Sequence, residues 1–262
     1  MTRAATSRLA AIRVVLRNRR LTSALRGFAA FNIAEQGGWL SILLYAYARG
    51  GVAATGRLVV LLLLPAALLA PMTAAAGDRF PRHRVLTVGF LLTGLSLVGT
   101  GIAMLSEAPV AVVYGIAVCF SIVMTFGGPA IAAVLPAAAE TPDQLTAANV
   151  TVGLVQTMGQ LVGPILAGVI LATASPGWAC VWIGALAVLG AVSTIGRHGA
   201  APNELAHPDD PDRESATVEI LKGFRLVALN GKVRSLTVMI FLTSVVVGAL
   251  DVGAAVIADR SR

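Results

Sequence analysis

Asn32, Glu35, Gln36 and Trp39 in the stretch FNIAEQGGWL follow the i, i+3, i+4, i+7 rule, so any helix that carries them presents them on one face. The residues from Gly27 to Ala48 are otherwise mostly apolar, and the run is long enough to cross a bilayer, with Glu35 and Gln36 near its middle. An ionisable group at that depth costs ~2.5 to 3.5 kcal/mol on insertion scales, so it must face a bundle interior or a wet cavity. Glu35 is therefore a candidate protonation or cation-binding site in a translocation path. A neutral carboxyl hydrogen-bonded to neighbouring helices for packing is the plainer alternative. A second polar set, Asn149, Gln156 and Thr157, lies in the run 147–174, where Gln156 is deep enough to contact a solute. In the same run Gly159 and Gly163 are four apart and admit close approach of a neighbouring backbone. Pro164 leaves a carbonyl one turn earlier unpaired and predicts a kink, and Gly168 follows. Asp251 is a weaker polar candidate near the chain end.

These side chains need spanning helices to position them, and composition provides for those. Hydrophobic residues make up 56% of the 262 and charged residues 13%, well outside the range of a soluble domain. Seven runs have spanning length: Gly27 to Ala48, Leu58 to Ala76, Val85 to Leu105, Val110 to Leu135, Ala147 to Ala174, Trp178 to Ile195 and Leu236 to Ile257. Leu, Val, Ala and Gly dominate them without strict alternation, so the fold class is all-α and polytopic, not a barrel. The sequence divides into a basic segment at 1–26, six spans over 27–196, a Pro-rich acidic linker at 197–235 and a seventh span with a short tail at 236–262. Within the linker, Val218, Leu221, Phe224 and Ala228 share a helical face that ends at Asn230 and Gly231, which predicts an interfacial helix.

The net charge of +7 does not indicate nucleic acid, because the charges sort by loop. With the N-terminus in the cytoplasm, sixteen of the 20 Lys and Arg lie inside and only Arg49, Arg57, Arg260 and Arg262 lie outside, in keeping with the positive-inside rule for a plasma (inner) membrane protein. The N-terminal segment is expected to be retained, either as a short helix on an anionic leaflet or as a basic tail. Cys119 and Cys180 fall in or beside apolar runs and are expected to be small core residues. The three His form no ligand spacing, and there is no Walker loop, G-x-S-x-G or H-E-x-x-H. No catalytic residue, metal or cofactor is expected, and the chain does not read as an enzyme.

The segment AAAGDRFPRHR, between the second and third runs, resembles the loop signature of the major facilitator superfamily, G-x-x-x-D-[RK]-x-G-x-[RK]-[RK]. Asp78 and Arg79 match, and Arg82 and Arg84 supply the basic end, while Ala74 and Pro81 replace the two glycines. GQLVGPILAG is similar to an antiporter signature, with Gly159, Gly163, Pro164 and Gly168 in place. Over nearly its whole length the chain resembles actinobacterial facilitators that often carry a C-terminal cyclic-nucleotide-binding domain, here not found. The resemblance implies a six-helix bundle of 3+3 repeat plus a seventh helix, and cation- or proton-coupled export of a small solute. It also implies that Asp78 meets the N-terminus of a helix from a second bundle as part of an inner gate, with Arg79 and Arg82 holding the loop. On this reading the chain is incomplete by itself and pairs with a second transporter half or with itself in the lipid bilayer. The alternative is a non-transporting remnant or membrane subunit.

Overall fold

In the computed structural model, residues 15, 17–79, 81–195, 229–231, 233–239, 242–243 and 246 are described, with 70–79 and 82 described for their backbone alone. The chain divides into two compact units, Met1–Pro208 and Asp209–Arg262. Among the described residues no strand occurs. The first unit contains α1 (Arg19–Arg79), α2 (Arg82–Leu105), α3 (Val110–Met124), α4 (Gly127–Ala138), α5 (Pro142–Leu171) and α6 (Pro176–Val192). In the second unit the described residues 233–239, 242–243 and 246 are helical, the beginning of the seventh expected span. The rest of that span, Asp251 and the expected interfacial helix over 218–228 lie outside the described residues.

The first two expected spans form one element, α1, broken into two limbs at Gly50 and Gly51. Gly51 has φ +61° and ψ −154°, a conformation essentially restricted to glycine, and this kinks the chain between the limbs within two residues. The fourth expected span is also divided. Thr125 and Phe126 form a turn between α3 and α4, followed by Gly127, Gly128 and Pro129, and Pro129 has no N–H to continue the helical ladder. The expected loop from Ala74 to Arg84 is almost entirely helical. Its first six residues end α1, Arg82 to Arg84 begin α2, and Pro81 caps the start of α2. A proline is suited to that position because its fixed φ leads into a helix and it lacks only a donor that would be unpaired there.

By length and composition α1 through Leu69, α2 from His83, the combined α3–α4 segment and α5 can each cross a bilayer. The first of these is long enough for two passes, and α6, with 17 residues, lies at the short end of the spanning range. The core falls into two clusters. Phe28, Phe31 and Phe90 anchor one, with ring centroids 5.0 to 6.2 Å apart, together with Leu21, Ile131 and Leu135. Ile42, Leu58, Leu62, Leu97, Phe120 and Ile183 form the other, which ties the two limbs of α1 to α2, α3 and α6.

Small residues set the closest helix contacts. On α2 and α6, Gly94 faces Gly184 and Gly101 faces Gly177, each pair spaced seven residues along its helix. A Cβ at Gly94 would lie 2.9 Å from the Gly184 carbonyl oxygen, and one at Gly101 would lie 2.6 Å from that of Gly177. Cys180 is buried beside this seam, but Cys119 is exposed on α3, so the core assignment for Cys119 is corrected: its position in the helix faces outward from the packed side.

At one end of the bundle Asn18 closes a clasp. Its Oδ1 accepts from the backbone N–H groups of Arg20 (3.0 Å) and Leu21 (3.3 Å), capping α1. Its Nδ2 donates to the Ala138 carbonyl (2.9 Å) and to Gln144 Oε1 (3.1 Å), which joins the start of α1 to the α4–α5 turn. Asn18→Ala removes the cap and leaves the Ala138 carbonyl without this donor, and should lower unfolding stability by about 2 kcal/mol. Thermal unfolding of the purified variant measures this, and Gln144→Ala, which leaves the cap intact, should lose less.

Candidate functional site

The direction in which Glu35 points follows from the contacts of its neighbours on α1. Gly159 of α5 packs on Asn32, where a Cβ would come 2.5 Å from that of Asn32. Gly163 packs on Ile33, Gln36 and Gly37, where a Cβ would come 2.8 Å from the Ile33 carbonyl oxygen. On the other side, Gly38 meets Leu97 of α2 and Phe120 of α3, and the Phe31 ring meets Gly127 of α4. At about 100° per residue, Glu35 lies between these two sets, on the strip of α1 left between α3–α4 and α5. It is half-buried there, and among the described residues its carboxylate makes no hydrogen bond or ion pair.

On α5 the same contacts divide the surface. Gly159 and Gly163 face α1. Asn149, Gly153, Gln156 and Gln160 follow at intervals of four, three and four residues, and all are exposed. Val150, Met158, Leu161 and Ile165 make a separate exposed apolar strip. The two helices run parallel, with Asn32 opposite Gly159 and Gln36 opposite Gly163. Turning in the same sense about parallel axes, Glu35 of α1 and the amide strip of α5 point to the same side, and the apolar strip of α5 faces away from it; along α1 the half-buried Glu35 is flanked by the buried Phe28, Ile42 and Ala46.

Asn32 is buried and donates from Nδ2 to the Phe28 carbonyl (2.9 Å), while Gln36 and Trp39 are half-buried, Trp39 against the second core cluster. Thr157 is exposed and its hydroxyl donates to the Gly153 carbonyl (2.9 Å), so it offers less to a solute than the amides beside it. Of the glycines singled out on α5, Gly168 is removed from the seam: it is exposed, with open space around it. Pro164 lies inside a continuous helix. The side chains of Asp78, Arg79 and Arg82 lie outside the described residues, and Arg84 is exposed at the start of α2. Sequence spacing missed Gln160 and the Gly37 partner of Gly163. Gln160, four residues past Gln156, could have been found by extending the amide spacing by one turn.

An all-helical bundle with several long apolar helices is consistent with what the family comparison returns: the model of the Major Facilitator Superfamily matches residues 21–259. The chain belongs to the major facilitator superfamily. Comparison with curated proteins and with solved structures returns no match. As a facilitator it is a multi-pass membrane protein of a transporter family, and α1 to α6 are its helical bundle. Among the described residues of this facilitator no cluster of His, Cys, Asp and Glu could hold a metal ion.

Proposed function

We propose that this facilitator moves a small amphipathic solute along the side of the bundle that carries Glu35, with a proton or another cation exchanged at that carboxylate. The observation behind the reading is the half-buried Glu35, without a partner among the described residues, pointing to the same side as the exposed amides of α5. A carboxylate and a row of carboxamides left against lipid would be costly, whereas a wet path solvates both. In this reading Gly159 and Gly163 hold α1 against α5 over the buried Asn32 so that Gln36 and Gln156 line one passage with Glu35, and Gly50 and Gly51 are a swivel between the limbs. The direction is export across the plasma membrane with the N-terminus cytoplasmic, and Asp78, Arg79, Arg82 and Arg84 form the gate at the cytoplasmic end. A second six-helix bundle, or a second copy, supplies the opposite wall.

Thiol accessibility tests the path without knowledge of the solute. In a background with Cys119 and Cys180 replaced by Ser, Gln156→Cys and Gln160→Cys should react with a membrane-impermeant, water-soluble thiol reagent at least tenfold faster than Leu161→Cys and Ile165→Cys. Equal rates on the two strips refute a wet path. Unreactive amide positions in a folded protein would instead favour the second reading, a subunit whose α5 strip is covered by protein.

A further inference from the structure

Within the six spans of the bundle as read from the sequence, Glu35 is the one Asp, Glu, Lys or Arg; every other such residue between 27 and 195 lies in a loop or at a span boundary. We infer from this that the site takes an organic cation with an apolar or aromatic body. This rests on the reading of the Glu35 side of the bundle as the solute path. The groups on that side are Glu35, Gln156 and Gln160, with the half-buried Gln36 and Trp39 at its margin and Asn32 buried beneath Gly159, one carboxylate among neutral amides and an indole. None is a base, so an anionic solute would meet a like charge with no counter-charge among these groups. A cationic solute finds its counter-charge in Glu35. No described group competes for that carboxylate, so binding a cation breaks no existing ion pair. Trp39 is one helical turn beyond Glu35 on the same face and is half-buried, so its ring can receive the apolar or cationic part of the solute. The amides of α5 bring hydrogen-bonding capacity without charge and do not distinguish one cation from another, which favours recognition by charge and bulk.

The test compares two ions of the same size and shape and opposite charge, tetraphenylphosphonium and tetraphenylborate. Both are measured by equilibrium binding to the full chain in nanodiscs, as the saturable component above empty discs. Tetraphenylphosphonium should bind saturably and at least tenfold more tightly than tetraphenylborate. Glu35→Gln should weaken the cation at least tenfold, and Glu35→Asp, which keeps the charge, should keep most of the preference. Trp39→Ala should weaken it several-fold more than Trp39→Phe, a comparison that stands even if Glu35→Gln fails to fold. Equal affinity for the two ions, or cation binding unchanged in a folded Glu35→Gln variant, overturns the inference. Thiol accessibility at Gln156 separates the two claims: a wet strip with no cation preference removes the substrate class and leaves the path. A dry strip with Glu35-dependent cation binding removes the path and leaves a cation site.

Discussion

A leucine at position 184 should leave no folded, monodisperse protein. Gly184 sits where α6 crosses α2, and a Cβ there would lie 2.8 Å from the Val98 backbone nitrogen and 2.9 Å from the Gly94 carbonyl oxygen. These are backbone atoms of an apolar helix, so they cannot move aside by changing a rotamer; the two helices must separate along the seam. The same distances recur from the other side at Gly94, which would meet the Val188 nitrogen at 2.8 Å and the Gly184 carbonyl at 2.9 Å. Alanine at either position should cost about 1–3 kcal/mol, the range for overpacking, and leucine more because three further carbons have no space. In a bilayer little hydrophobic force holds the helices together once close packing is lost, so the seam has no reserve. Gly115→Ala and Gly153→Ala are the controls. Neither Cβ would meet anything within 4 Å, and loss of glycine's backbone freedom should raise stability by up to about 1 kcal/mol. Gel filtration and thermal unfolding read both effects, and a Gly184→Leu protein that unfolds at the native temperature would sink the seam argument.

Glu35→Gln should unfold at the native temperature or above it and should reduce solute movement at least a hundredfold. The carboxamide has the shape of the carboxyl without its charge. Because the native carboxylate has no partner among the described residues, the substitution breaks no bond and removes the cost of an ionisable group at mid-span. The stability gain is of order 1 kcal/mol, since a primary amide in the same place is itself partly desolvated. The packing alternative gives the opposite sign. A carboxyl retained for its hydrogen bonds to neighbouring helices would lose about 1–3 kcal/mol when one is removed. Unfolding and transport therefore need to be measured on the same preparation: stability kept with transport lost supports a working carboxylate, and stability lost first supports a structural one.

Most of the bundle was legible because spanning helices announce themselves by length and apolarity, and because Asn32, Glu35, Gln36 and Trp39 repeat with the period of a helix. The breaks were harder to read. Gly50 and Gly51 lie in a stretch that passes for an ordinary loop, but only the backbone shows one helical element kinking there, through a conformation essentially closed to other residues. The segment around Asp78 reads as a loop because it is charged, yet charged residues continue a helix readily where it leaves the membrane, and it is helical through Arg79 and again from Arg82. Cys119 looked like core because small apolar residues usually are, but in a membrane the outward face is apolar as well, so hydrophobicity does not separate inside from outside.

The amino-acid order by itself determined that the chain enters a bilayer, that its helices are joined by short turns, and that a single acid is carried to mid-span, because each follows from local composition and period. It also set the equal seven-residue spacing of Gly94 with Gly101 and of Gly177 with Gly184. Which helices those glycines join, and on which side the carboxylate emerges, was decided by the tertiary structure alone. A helix face has no direction until a neighbour covers part of it. Once Gly159 and Gly163 sit on Asn32 and Gln36, and Phe31 and Gly38 are taken up by α2, α3 and α4, Glu35 is left half-buried between these contacts.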